Sequence, residues 1–324
     1  MPSTVEGMTH SVEVQETVVA GELPAVQPFD LRTSIRFLRG FGACKGDQVL
    51  TDHSITKALA VAGRAVVFEA VPVSSGVGYR LHADSPIGPR IEQRVRTAID
   101  GYLSLSDDLG EFYELAATDD PRFGLLVDRL RGLHQVRFLT IAEIAVWALV
   151  SQRTPKSHAL GMKRRIADLG PAMTLDGVRY QAFPEVEALA ELTDAQWYAL
   201  VRNERKAGYL GNTMRGLLEI GEDFLRTAPY QDAYKALRSI KGVGEWSASA
   251  IMLRGLGRMD HVPLEMAQFQ DAAQALYGQP LDAERMRRHY GRHLGYWSYY
   301  LKVGVGLPHV SSSQSAPAEG RLAA

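Results

Sequence analysis

Residues 236–256 read Ala236-Leu237-Arg238-Ser239-Ile240-Lys241-Gly242-Val243-Gly244-Glu245-Trp246-Ser247-Ala248-Ser249-Ala250-Ile251-Met252-Leu253-Arg254-Gly255-Leu256. An apolar helical period leads into Lys241-Gly242-Val243-Gly244, and a helix of small residues leads out. Two glycines let the backbone turn sharply and approach a ligand without a Cβ in the way. Val243 is placed to plug the turn into the core. The first amides of the outgoing helix point outward unpaired, and the helix dipole adds partial positive charge there. A backbone phosphate of DNA suits that end. A lone Gly-x-Gly more often marks a plain helix connection with glycine at the C-cap. Here Ile240 before the turn, Trp246 after it and Ala248, Ser249 and Ala250 behind it favour a DNA-binding helix-hairpin-helix. Glu245 opposes this, because it sets a negative charge beside the phosphate site.

Outward from the hairpin, helical periods run through 109–117, 121–132, 140–151, 156–168, 185–191, 193–202, 204–226, 231–239, 245–256, 264–277, 282–289 and 293–303. Thr140 with Glu143 and Thr193 with Gln196 have capping-box spacing. The stretch before residue 105 differs. Asp30 is placed to cap a short helix through Arg39, and the β-rich runs 65–71 and 78–83 flank a Ser74-Ser75-Gly76 turn. A helix over 91–103 follows. The expected architecture is mainly α, a helical bundle over 106–304 in two packed parts, preceded by a small α/β domain with an antiparallel sheet over 26–105. Residues 1–25 read as a flexible lead and 305–324 as a disordered tail.

Composition limits the function classes. The chain has 324 residues, 46% apolar and 23% charged, enough for two or three packed units. The formal net charge is −1, so a DNA site must be a local patch on a nearly neutral body. One cysteine, Cys44, excludes a disulfide framework, an iron–sulfur cluster and a cysteine-rich zinc site. Cys44 reads as a small buried hydrophobe. No apolar run reaches a membrane span, and no signal peptide is visible, so the expected compartment is the cytoplasm.

The hairpin resembles that of the HhH-GPD superfamily of base-excision DNA glycosylases. The span 29–304 is similar to its AlkA-like branch, the methyladenine DNA glycosylases. Phe29-Asp30 with Phe37-Leu38 resembles the family's N-terminal domain, and 105–117 its entry into the helical part. Trp147-Ala148-Leu149-Val150-Ser151-Gln152 resembles the helix that ends in a glutamine near the lesion pocket. Phe183-Pro184, the run 205–210, Leu253-Arg254-Gly255 with Asp260, and Ser298-Tyr299 agree as well. The resemblance implies that double-stranded DNA lies against the helical face and that a damaged base is rotated into a cleft between the helical parts. It implies base-pocket roles for Gln152 and Trp246, and phosphate contacts at Lys241, Gly242, Val243 and Gly244. It also implies a monovalent cation on the carbonyls of Arg238, Ile240 and Val243, with no other cofactor.

Such enzymes need a carboxylate to stabilise the cationic sugar as the base leaves. In the family it lies in an Asp-x-Phe-Pro-x-Asp-Asp type of segment. Here that segment is Asp260-His261-Val262-Pro263-Leu264-Glu265-Met266, and the aspartate position is Met266, 24 residues after Gly242 as in the family. A thioether carries no negative charge. Three readings stay open: a catalytically silent DNA-binding or damage-sensing protein, Glu265 as substitute, or Asp271 as substitute. If active, the protein is expected to be a monofunctional N-glycosylase acting as a monomer. Bifunctional relatives place a Schiff-base lysine where Trp246 stands, so lyase activity is not expected.

Three basic clusters are candidates for phosphates: Arg153 with Lys156, Lys163-Arg164-Arg165, and Arg285 with Arg287-Arg288. Arg153 and Lys156 carry the most weight because they follow Gln152. His289 and His293 have the spacing of a metal pair but lack a third ligand.

Overall fold

Asp30 caps the first helix as its position predicts: its side chain accepts from the Arg32 amide, and the helix buries Leu31, Ile35 and Leu38. The computed structural model describes residues 17–306. The chain begins with β1 (Thr17–Pro24), α1 (Leu31–Gly40), β2 (Gln48–Leu50), β3 (Ile55–Val61), β4 (Arg64–Val73), β5 (Gly76–Ala83) and α2 (Pro89–Leu103). It continues through α3 (Gly110–Ala117), α4 (Pro121–Arg129), α5 (Ile141–Val150), α6 (Lys156–Ala167), β6 (Ala172–Leu175), β7 (Val178–Gln181), α7 (Val186–Ala190), α8 (Asp194–Val201) and α9 (Glu204–Ile220). The remaining elements are α10 (Glu222–Thr227), α11 (Tyr230–Ser239), α12 (Glu245–Arg254), α13 (Ala267–Tyr277), α14 (Ala283–Tyr290) and α15 (Leu294–Gly306).

The first five strands form one antiparallel sheet in the order β1-β5-β4-β3-β2. Its inner face packs on α1 and α2 through Leu31, Ile35, Phe68, Leu81, Val95 and Ile99. Two helical cores lie beyond it. One is built by α5, α6, α9, α11 and α12, and the other by α3, α4, α13, α14 and α15. Helix α5 is the pillar of the first core: among its ten residues only Trp147 is not fully buried.

Three expectations change. Residues 17–24 are not part of a lead but form β1, paired with β5 from Thr17–Ala83 to Pro24–Gly76. An edge strand with one face exposed, Val18 being 51% accessible, shows little apolar period, and its partner lies some sixty residues away. Second, the helical part contains the β6–β7 hairpin. Its turn is Asp176-Gly177, both at positive φ (50° and 77°), the conformation an Asp-Gly hairpin turn requires. The hairpin covers Ala58, Ala60, Ala65 and Val67 on the outer face of the sheet. Third, the period over 204–226 is two helices, broken at Gly221 with φ +80°. Residues 305 and 306 belong to α15; the rest of the expected tail, and residues 1–16, lie outside the described residues.

The capping boxes also divide. Thr193 and Gln196 form both reciprocal bonds. Thr140 accepts from the Glu143 amide, but the Glu143 carboxylate turns inward. There it meets Lys163 at 2.7 Å from α6 and Lys57 at 3.4 Å from β3. Lys163 also donates to Asp47 at 2.5 Å and to the Ala43 carbonyl at 2.9 Å. Burial pushes the Glu143 carboxyl up, but Lys163 and Lys57 outweigh it and hold the group at about 2. Cys44 lies against this cluster, buried as expected, its thiol pushed up to about 12 by burial and by Glu143. Sheet, α5 and α6 are thus tied at one charged knot.

Candidate base-binding cavity and nucleic-acid interface

The hairpin joins α11 to α12 through residues 240–244. Gly242 has φ +107°, and a Cβ there would run into the Tyr209 ring from α9. Val243 is 3% exposed, so it plugs the turn as its type predicts. Its amide donates to the Ile240 carbonyl at 3.0 Å. Gly244 is the N-cap of α12 and offers no side chain to its first-turn amides. The exposed Lys241 and the exposed Glu245 flank that end. The Arg238 and Val243 carbonyls accept no hydrogen bond from the described residues, a donor set that fits the implied monovalent cation.

Behind the hairpin lies a cavity of about 350 Å³. Its walls come from α1 and the residue after it (Phe37, Phe41), α5 (Ile144, Trp147), α12 (Trp246, Ser249, Leu253, Arg254), the start of α13 (Met266, Gln268, Phe269) and α15 (Ser298, Tyr299, Lys302). The volume and aromatic walls suit a flat heteroaromatic ring. Trp246 stands at the mouth, 38% exposed. Deeper in, the Ser249 hydroxyl and both polar atoms of the buried Gln135 amide have no hydrogen-bond partner. Buried polar atoms without partners are uncommon and mark where a ligand's edge can bond.

Met266, the position expected to bear the carboxylate, lines this cavity as the N-cap of α13. The expected helix over 264–277 starts only at Ala267. Glu265 does not reach the cavity. It is exposed and ion-paired to Arg287, whose hydrogen bond holds the carboxyl below its usual range. Asp271 is exposed on α13 and is not part of the wall. The charged side chains of the lining are both cations, Arg254 and Lys302. The guanidinium of Arg254 stacks over Phe41, Tyr299 and Phe37 at 4.7, 5.4 and 5.6 Å and donates to the Val136 carbonyl at 2.8 Å. Burial lowers its pKa.

Gln152 is not part of the cavity wall. Its amide donates to the Ser247 hydroxyl at 2.7 Å, tying the end of α5 to α12. Lys206 holds the same corner by donating to the carbonyls of Gln152 (2.8 Å), Leu149 (3.0 Å) and Val150 (3.2 Å). A cation on those last carbonyls complements the helix dipole. Arg153 follows at φ +47°, and Arg153 and Lys156 are exposed without a carboxylate partner among the described residues. In the other basic clusters most of the cations have partners, Arg164 being exposed and Arg165 donating to the Leu200 carbonyl. Lys163 is the buried partner of Glu143, and Arg285, Arg287 and Arg288 pair with Asp119, Glu265 and Glu284. His289 bonds the Leu115 carbonyl and His293 meets Glu111, so the two do not converge on a metal. Gln135, Ser249, Lys302 and Phe41 are wall residues that the sequence reading missed. They come from four separate segments, and only packing brings them together.

No protein-family model matches the sequence. A DNA-3-methyladenine glycosylase of Bacillus subtilis is 25% identical over 250 residues, covering 75% of this chain and 80% of that protein. Among solved structures, the 3-methyladenine DNA-glycosylase of Archaeoglobus fulgidus superposes with a TM-score of 0.71 at 21% identity, covering 89% of this chain and 98% of that one. The 8-oxoguanine glycosylase/lyase of Clostridium acetobutylicum, solved with double-stranded DNA, gives 0.62 at 20% identity, covering 85% and 91%. At these identities the structural likeness speaks for fold alone. Together with the hairpin and the cavity behind it, these likenesses give the chain the fold of the DNA glycosylases and a sequence similar to that of a DNA-3-methyladenine glycosylase.

Proposed function

We propose that the chain is a DNA-repair protein of the AlkA-like glycosylase kind, binding duplex DNA as a monomer in the cytoplasm and drawing an alkylated purine into the cavity. The observation that carries this reading is the placement of the aromatic cavity directly behind the hairpin, with unpartnered Gln135 and Ser249 aimed at its interior. The hairpin amides and Lys241 hold one phosphate, and Arg153 and Lys156 a second stretch of backbone. Trp246 stacks on the extruded ring. Two cations in the wall disfavour a base with a fixed positive charge, so the cavity suits neutral alkylated purines better than cationic ones.

A second reading rests on one observation, the lack of any carboxylate in the cavity wall. It is recognition without hydrolysis. Base release from alkylated duplex DNA decides between them, measured for wild type, Met266→Asp and Glu265→Gln with cationic methyladenine and neutral ethenoadenine substrates. Release by wild type that survives in Glu265→Gln supports excision by groups already in the wall. Loss in Glu265→Gln assigns the missing carboxylate to Glu265. No release from wild type with release by Met266→Asp supports recognition alone. Unchanged DNA affinity in a folded Gly242→Val protein would overturn the hairpin's part.

A further inference from the structure

Arg254 and Lys302 share the cavity wall but differ in what they are free to do. Arg254 is held over three rings and donates to a carbonyl, with its Nε left without a partner. Lys302 projects from α15 on another wall, with Nζ 5.5 Å from the centre of the Phe269 ring. Among the described residues its one hydrogen-bond partner is Gln268 Oε1 at 2.6 Å, a neutral acceptor. The nitrogen of that same Gln268 amide lies 3.8 Å from Met266 Sδ. A single side-chain amide therefore separates the lysine amine from the position where the superfamily keeps its carboxylate. Lys302 is exposed as a residue and lines the cavity. Burial of its ammonium, followed by the repulsion of Arg254, lowers its pKa to about 8. Roughly a tenth of the amine is then neutral at pH 7. Arg254 is the other charged group facing it from the wall.

We propose that Lys302 is a nucleophile towards the sugar C1′ of the nucleotide extruded into this cavity, forming an imine with DNA. This rests on the reading above that the cavity receives a nucleotide. The Nζ lone pair forms a bond to C1′ as the C1′–base bond breaks and its electron pair leaves with the base. The new ammonium gives one proton to the departing base. The nitrogen lone pair then expels O4′, which takes a proton from water, and the C1′=N iminium remains. The same amine reaches the imine from an existing abasic sugar by adding to its C1′ aldehyde, with the oxygen lost as water. Direct bonding to C1′ removes the need for a carboxylate to stabilise a free oxocarbenium ion, which is the group that Met266 cannot supply. Gln268 is a positioning residue that holds the amine towards the Met266 side.

The test traps the iminium by borohydride reduction on a duplex carrying one abasic site. Binding is measured in parallel on a duplex with a tetrahydrofuran abasic analogue, which cannot form an imine. Expected are a covalent protein–DNA adduct with wild type and an adduct yield lowered at least 100-fold in both Lys302→Arg and Lys302→Gln, each variant keeping the wild-type circular dichroism spectrum. Adduct formation is expected to rise with pH around a midpoint near 8, and Gln268→Leu to shift that midpoint without abolishing the adduct. An undiminished adduct in Lys302→Arg overturns the assignment. So does wild type that binds the analogue and is not trapped. Wild type that fails to bind the analogue at all overturns the underlying reading of the site as well.

Discussion

Two places in this molecule gather a pair of cations from different elements. At the knot beneath the sheet, Lys57 and Lys163 converge on Glu143, and each charge has its counterpart. In the cavity, Arg254 and Lys302 share a wall with the Met266 thioether and with no carboxylate. The contrast separates structural from chemical use of charge. A buried cation matched by a carboxylate is held charged and acts as a fastening. A partly buried cation matched only by an amide loses its proton more easily and becomes available to react. Burial is common to both; the presence of one carboxylate decides which outcome follows.

Exchanging the two situations gives the largest expected effect. Glu143→Met brings the cavity's arrangement to the knot, leaving buried Lys57 without a carboxylate and Lys163 with Asp47 alone. A loss of about 3–5 kcal/mol in unfolding free energy is expected from denaturant titration. A change below about 1 kcal/mol would break the comparison. The same carboxyl also sets an acid limb. Its folded pKa, about 2, lies below its ordinary 4.5, so its contribution is present above pH 4.5 and is lost as pH falls towards 2. The stability gap between wild type and Glu143→Gln should close over that interval in an acid titration. The reverse exchange, Met266→Asp, gives the cavity its carboxylate. The Lys302 midpoint should climb by about 1–3 pH units, seen as an alkaline shift of adduct formation; an unmoved midpoint would mean that the two side chains do not sense each other.

Smaller effects belong to the mouth. Trp246→Ala should weaken binding of a base-bearing lesion duplex by about 1–3 kcal/mol while leaving the tetrahydrofuran duplex nearly unaffected. Equal losses on both duplexes would make Trp246 a packing residue. Arg153→Ala and Lys156→Ala should each lower the slope of log affinity against log salt by about 0.9, with little effect on lesion preference. An unchanged slope would remove that corner from the DNA footprint.

The hairpin was legible because its chemistry is local: glycines, a plug and a small-residue helix lie within one stretch. The Met266 position followed by counting along an ungapped segment, and the structure places it in the wall. Gln152 misled because its helix reads correctly while its side chain is claimed by Ser247. The basic runs misled for a similar reason. Lys163 looks like a surface charge until α6 is laid against α5, where it meets the carboxylate of Glu143, within one turn of Thr140. Strand β1 and the β6–β7 hairpin escaped because each is defined by a partner surface distant in sequence, although Asp176-Gly177 carried a local turn signal. Gln135 and Lys302 carry no pattern at all, being single polar residues whose meaning comes from what surrounds them.

The distribution of the four tryptophans gives the molecule its own optical probe. Trp197 and Trp297 are sealed in the two helical cores, while Trp147 and Trp246 both line the cavity. Any emission reachable by iodide or acrylamide therefore arises at the mouth of the cavity. Whatever enters and lies against those indoles will shield them from quencher and shift their emission, so occupancy can be followed in solution on the unlabelled protein.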